Sequence, residues 1–392
     1  MSSKKNMYKM MAVFAISYFS FTASYVLMLP FLEKIGYNSS EQGVIMAIGS
    51  LLGLFGQMIF GYLCDKYRSV KKFAYISIIL LGIFVWIFYI ITSYQFWLHL
   101  AIGGFMQSFF MIGCGILDSW ALEADDYCKD NYGSIRAFGA IGWILGGPVI
   151  AWVASQFGYS YLGLAFLIIT VVNFAISYTA PDAQKDEITT KEKIQISDVK
   201  VLLNNKRYLV LLIIFFLTFF TLQAEAFLSI QKIIALAGEG NETYVSLKSS
   251  FQAIFELPFF FLGGYLIKKF GSVKLLLVAL VFYLVRIGGD IWASAPMQLV
   301  YLSCLQMMTF PFITITSKAL IDEEIPLKLR STGQQFAVSI YSCGSAFVAP
   351  LICGLLVGQF GIDNALQSGT VCTVLAIGFV FMYTKLPKKV VE

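Results

Sequence analysis

Residues 118–143, DSWALEADDYCKDNYGSIRAFGAIGW, carry an acid, a guanidinium and an indole where one polar ligand could meet all three. Asp118 lies near the end of an apolar run over about 97–122, and Arg136 just inside the next, over about 134–156. Trp143 follows Arg136 at close to two helical turns, so the two share a helix face. A charge in hydrocarbon is costly and normally faces a partner or a wet cavity. On adjacent antiparallel helices, the carboxylate and guanidinium would hold hydroxyls and the indole an apolar ring face. The alternative is that Arg136 only flanks its span and Trp143 is an ordinary helix aromatic.

A second polar set is spread along the later half. Glu256 is near the centre of the apolar run 243–267, and Glu225 is central in 207–236, beside Gln223. An acid held away from bulk water can load and release a proton as its surroundings change. Arg286 and Asp290 are four residues apart, so they could form an intrahelical ion pair that lowers the cost of burying either, with a role in proton coupling or a purely structural one. Gln57, Gln107, Gln252, Gln306 and Gln334 lie within apolar runs. They could serve a polyhydroxylated ligand, Gln252 and Gln306 foremost, although helix–helix contacts use the same residues.

These groups need membrane-spanning helices to position them. The chain of 392 residues is 58% hydrophobic and 13% charged, with mean hydropathy +0.76. Soluble domains carry about 25% charged residues. Hydropathy divides the chain into twelve runs of bilayer-crossing length: about 8–32, 41–64, 72–94, 97–122, 134–156, 160–180, 207–236, 243–267, 274–295, 298–320, 331–358 and 364–385. The first is too long for a signal-peptide core and is expected to be retained. Lysine and arginine crowd alternate loops, at Lys66–Lys72, Lys185–Arg207, Lys268–Lys274 and Lys328–Arg330, while the opposite loops offer little beyond Lys34 and Lys248. Both termini are therefore expected in the cytoplasm. The linker holds a short amphipathic pattern after Ser197, with Val199, Leu202 and Leu203 on one side.

The two halves repeat each other. GYLCDKYRSVK at 61–71 matches GYLIKKFGSVK at 264–274, and Gln156-Phe157-Gly158 matches Gln359-Phe360-Gly361 at the same offset of 203 residues. Duplication of a six-span unit places a ligand site at the midplane between the halves. The seven cysteines are scattered without metal-ligand spacing, and no Ser/His/Asp constellation is present. The single histidine, His99, follows Trp97 at a segment edge and is expected at the interface. The net charge of +5 is accounted for by the basic loops and asks for no nucleic acid.

The loop GYLCDKYRSVKK resembles the signature loop of the major facilitator superfamily, with Gly61 and Asp65 as its glycine and acid and Arg68, Lys71 and Lys72 as its bases. The resemblance implies a gating role for this loop. The spacing of Asp118, Arg136 and Trp143, with FGAIGW, is similar to lactose permease and its oligosaccharide:proton relatives, where these residues bind the sugar. YGSIRAFGAIGW also resembles the nucleoside:proton symporters. Glu256 in FELPFFF and Arg286 in YLVRIGG resemble acid and arginine positions of proton coupling. Where lactose permease has a histidine and a glutamate in span ten, this chain reads LQMMTFPF; its lysine in span eleven falls near Gly344 and its acid in span seven near Thr221. These departures leave Glu256 as the expected proton carrier with Glu225 second, and put strict lactose specificity in doubt.

The expected fold is an all-α integral membrane protein of twelve helices in two pseudo-symmetric six-helix bundles, 1–180 and 207–392, joined by a linker over 181–206. The expected function is proton-coupled import of a sugar, glycoside or nucleoside in the plasma membrane by a monomer, with protons and a small polar molecule as its only partners besides lipid, no metal, and no cofactor beyond the proton gradient. Two alternatives stand beside it: a drug:proton antiporter, suggested by GWILGGPVIAW in span five, and a transporter-derived nutrient receptor. An enzyme is not expected.

Overall fold

The computed structural model describes residues 2–182, 202, 204–326 and 329–387, and it is entirely helical apart from turns and connections. Among the described residues, twelve helices are long and apolar enough to cross a membrane: α1 (Lys4–Lys34), α2 (Ser39–Tyr67), α3 (Val70–Ile90), α4 (Phe96–Glu123), α5 (Tyr132–Phe157), α6 (Tyr159–Ser177), α7 (Lys206–Ala237), α8 (Asn241–Phe270), α9 (Ser272–Trp292), α10 (Pro296–Glu323), α11 (Gly333–Phe360) and α12 (Ile362–Lys385). The sequence boundaries fall within a few residues of these. The linker helix proposed after Ser197 lies outside the described residues.

Local chemistry sets the ends. Asn38 caps α2 through a reciprocal box with Glu41, its side chain accepting from the Glu41 N–H while the Glu41 carboxylate accepts from the Asn38 N–H. Asn205 caps α7 by accepting from the Arg207 and Tyr208 amides. α1 breaks at Val26–Leu27 and resumes with Pro30 in the new first turn, where its missing N–H leaves no bond unmade. α11 widens into a π-helical stretch at Ser339–Gly344.

The duplication is written in the backbone. Gly158 and Gly361 end α5 and α11 with φ of 92° and 82°. Arg68, the non-glycine residue with positive φ among those described (51°), occupies the repeat position of Gly271 (81°). Buried apolar side chains form two clusters, one drawn chiefly from α1–α6 and the other from α7–α12. Within the first half, the root of the linker is clamped. Asp182 accepts from the Ser69 hydroxyl (2.6 Å) and the Val70 and Lys71 amides, and Trp120 Nε1 donates to the Pro181 carbonyl (2.7 Å).

The halves meet along α2–α11 and α5–α8, and their close contacts gather toward the end remote from the chain termini. There the Ser40 hydroxyl donates to the Gly354 carbonyl (2.9 Å), the Gln231 amide to Gln42 Oε1 (2.7 Å), and the Ser39 hydroxyl to Gln231 Oε1 (3.0 Å). The helices are so close that a Cβ on Gly43 would lie 2.2 Å from the Pro350 carbonyl oxygen. At the terminal end, by contrast, a Cβ on Gly61 or Gly264 would meet nothing within 4 Å, and Tyr62 and Tyr265 are exposed. The close contacts between the halves thus seal the distal end, while toward the terminal end Gly61 and Gly264 face open space and a Cβ on Gly133 of α5 would lie 4.0 Å from Phe261 of α8. Gly43→Leu should hold the distal ends apart. The check is the yield of a disulfide between cysteines introduced at Ser40 and Gly358, whose Cβ would lie 3.3 Å from the Ser40 hydroxyl; unchanged yield would contradict the seal.

Candidate site between the halves

The first-half wall of the cleft is built by α4, α5 and α1. Arg136 Nε lies 3.8 Å from Asp118 Oδ1, and both side chains are part-exposed (42% and 38%), so they face the cleft and not a packed core. The Arg136 guanidinium sits 4.4 Å above the centroid of Tyr18, a cation–π contact that fixes the plane of the fork. Asp118 Oδ1 has no hydrogen-bond partner. Trp143 stands further up α5, with its ring centroid 6.1 Å from Tyr25 and 6.0 Å from Phe110, and its Nε1 donates to the Ser249 hydroxyl of α8 (2.8 Å). The three residues singled out by spacing therefore line one side of the cleft, and Trp143 also ties the halves together.

The second half presents a buried charge network. Glu225 on α7 accepts from Arg286 Nη2 on α9 at 2.8 Å, and Lys248 Nζ on α8 lies 3.3 Å from the same carboxylate oxygen. Arg286 Nη1 donates to Gln306 Oε1 on α10. All four side chains are buried. Glu256, two turns beyond Lys248 on α8, is half-buried, lies against Gln306, and is within electrostatic reach of Arg286, Lys248 and Arg136. Lys318 of α10 is likewise within electrostatic range of Asp118. Each half thus offers one acid and one base to its opposite across the cleft. A cavity of about 650 Å³ between α8, α10 and α11, lined by Lys318, Asp322 and Gln334, opens beside it toward the terminal end.

Several expectations need correction. Arg286 and Asp290 do not pair: the guanidinium turns toward α7 and α10, no ion pair within 4 Å joins it to Asp290, and Asp290 Oδ2 is buried without a hydrogen bond. Glu225, reaching in from another helix, takes the charge-assisted bond at 2.8 Å, and Gln306 takes the other arm of the guanidinium. Lys248 is not a loop charge but a buried member of the network; its position inside the 243–267 run was the available signal. Most of the glutamines hold helices together, Gln57 to the Met111 carbonyl, Gln107 to Ser50 and Gln334 to the Lys318 carbonyl. Gln306 orients Arg286, which leaves Gln252, half-buried one turn from Glu256, as the glutamine free for a ligand. His99, in the first turn of α4, is fully buried within the protein and bonded to Tyr37 and the Ile91 carbonyl.

The signature loop divides its labour. Gly61 faces open space at the terminal end, and Arg68 forms the left-handed cap of α2. Lys71 donates to the Tyr178 and Ala180 carbonyls (2.7 and 2.8 Å), so it anchors the end of α6 within its own half. Asp65 lies in the last turn of α2. In span five, a Cβ on Gly142 would lie 2.0 Å from the Ala15 carbonyl oxygen, which makes this glycine a packing requirement of α1 against α5.

The model of the MFS_1-like family matches residues 8–367. The chain is 23% identical over 383 residues to the maltose permease of Geobacillus stearothermophilus, covering 94% of this chain and 92% of that protein. It is 24% identical over 338 residues to the putative nucleoside transporter YegT of Escherichia coli, covering 81% and 77%. The crystal structure of a mutant of the nucleoside transporter NupG superposes with a TM-score of 0.80 at 15% identity, covering 98% of this chain and 100% of that one. These proteins carry sugar and nucleoside names and give the drug-antiporter alternative no support.

Proposed function

The chain belongs to the MFS_1-like family and is a multi-pass membrane transporter, not an enzyme, and from that premise we propose that it imports a sugar or nucleoside together with protons, by alternating access. The observation that carries this reading is the pair of polar walls that the two halves turn toward each other. One wall holds Asp118, Arg136 and Trp143, the other holds Glu256 over a buried ion network, and the cleft is closed at the distal end. With the terminal end cytoplasmic, as the basic loops indicate, this is the inward-facing state. Hydroxyls would bind between Asp118 and Arg136, and a ring would rest beside Trp143, Tyr25 and Phe110. Glu256 would carry the proton, because it alone of the acids on the second wall faces both the cleft and the network. Rocking about α2–α11 and α5–α8 would then expose the site to the other side.

The test is uptake of labelled mono- and disaccharides and nucleosides into proteoliposomes under an imposed pH gradient. Accumulation that collapses with the gradient is expected; binding without accumulation would favour a receptor.

The ligand wall makes a second expectation. Arg136→Lys should weaken equilibrium binding nearly as much as Arg136→Ala, because lysine keeps the charge but loses the planar fork and its stacking on Tyr18. Hydrogen bonds to charged groups are worth about 1.5–3 kcal/mol, so roughly tenfold or more in affinity is at stake. Trp143→Phe should be milder than Trp143→Ala, since a ring face remains while the bond to Ser249 is lost. Unchanged affinity in Arg136→Lys would reduce Arg136 to a topological flank.

A further inference from the structure

One turn of α8 faces two ways. Ser246, Ser249 and Ser250 fall on one side of it at helical spacing. Ser249 accepts from Trp143, Ser250 donates to the Ile144 carbonyl (2.9 Å), and a Cβ on Gly147 would lie 3.2 Å from the Ser246 hydroxyl. This side is where α8 seals against α5. Lys248 projects from the opposite side of the same turn, is 3% exposed, and reaches Glu225 at 3.3 Å. Glu225 is also held by Arg286, which bonds Gln306, and Gln306 lies against Glu256. A continuous set of contacts therefore runs from the proton-carrier position to the turn that closes the cleft and seats Trp143.

We infer that Lys248 is a positioning residue, which ties the α5–α8 seal to the Glu225–Arg286 network by fixing the rotation of this turn. It touches neither the expected ligand wall nor the cleft. With Lys248 anchored, the three serines point at α5; with the anchor released, the turn is held from one side only, and the seal and the Trp143 bond loosen together. The inference deepens the alternating-access reading and rests on it, because it gives the seal a moving part.

The test uses full-length protein in membranes, with the native cysteines replaced and cysteines introduced at Gly147 and Ser246 to report α5–α8 closure as a disulfide. Lys248→Met is suited to it because Arg286 remains to satisfy Glu225. Lys248→Gln, with the same expectation, covers the case in which the methionine variant does not fold. Lys248→Met should slow cross-linking at least about fivefold, the size of a modest shift in a two-state equilibrium, and Lys248→Arg should restore it. A simple loss of packing would not be rescued by the bulkier arginine. Cross-linking at the parent rate in the methionine and glutamine variants overturns the inference, even if accumulation falls. Slowed cross-linking that arginine restores supports it, even in protein that accumulates nothing, a result that would count against the transport reading alone.

Discussion

Glu256→Gln should abolish uphill accumulation while leaving exchange of substrate across the membrane intact. The amide has the shape of the protonated acid, so the variant is fixed in the loaded form: it can carry substrate both ways but cannot release the proton that drives net import. The expectation rests on position. Glu256 is half-buried at the middle of α8, against Gln306 and within reach of Arg286 and Arg136. Counterflow and pH-driven accumulation measured on the same proteoliposomes check it. Full accumulation by the variant would move the proton to Glu225 or to Asp290, the buried acid on α9 with an unpartnered oxygen.

The network beneath it should be the most fragile part of the second half. Glu225→Leu leaves both Arg286 and Lys248 without their shared carboxylate in a site where all three are buried. Breaking a buried pair by removing one partner costs about 3–5 kcal/mol, and here two cations are stranded at once. Lys248→Met, which leaves Arg286 paired with Glu225, should cost much less. Thermal unfolding in detergent should therefore rank wild type, Lys248→Met and Glu225→Leu in falling order. Equal melting of the two variants would mean that the carboxylate is not the keystone of the network.

How much of this was legible beforehand depended on whether a feature is local. Twelve apolar runs and a repeated loop report themselves along the chain, because span length and lysine placement are one-dimensional constraints. Asp118, Arg136, Glu225 and Glu256 were visible for the same reason, each being a charge where hydrocarbon should be. Their partners were not. Helical spacing pointed Arg286 to Asp290, whereas its guanidinium crosses to a carboxylate on another helix. Lys248 was hidden by nearness to a span edge, where a lysine usually marks a loop. The glutamines looked alike in sequence, and only packing separates Gln306, spent on Arg286, from Gln252. Lys71 belonged to a recognisable loop, yet its bonds to the end of α6 follow from how α3 and α6 meet.

We propose that substrate and a proton cross together through the cleft, with Glu256 carrying the proton. The most direct measurement is the pH of a weakly buffered suspension of proteoliposomes when a transported sugar or nucleoside is added outside, with no gradient imposed. Wild type should alkalinise the medium as protons enter with the substrate, and Glu256→Gln should exchange labelled substrate in vesicles preloaded with it, with no pH change. Substrate entry by the wild type without alkalinisation, or undiminished alkalinisation by Glu256→Gln, would contradict it.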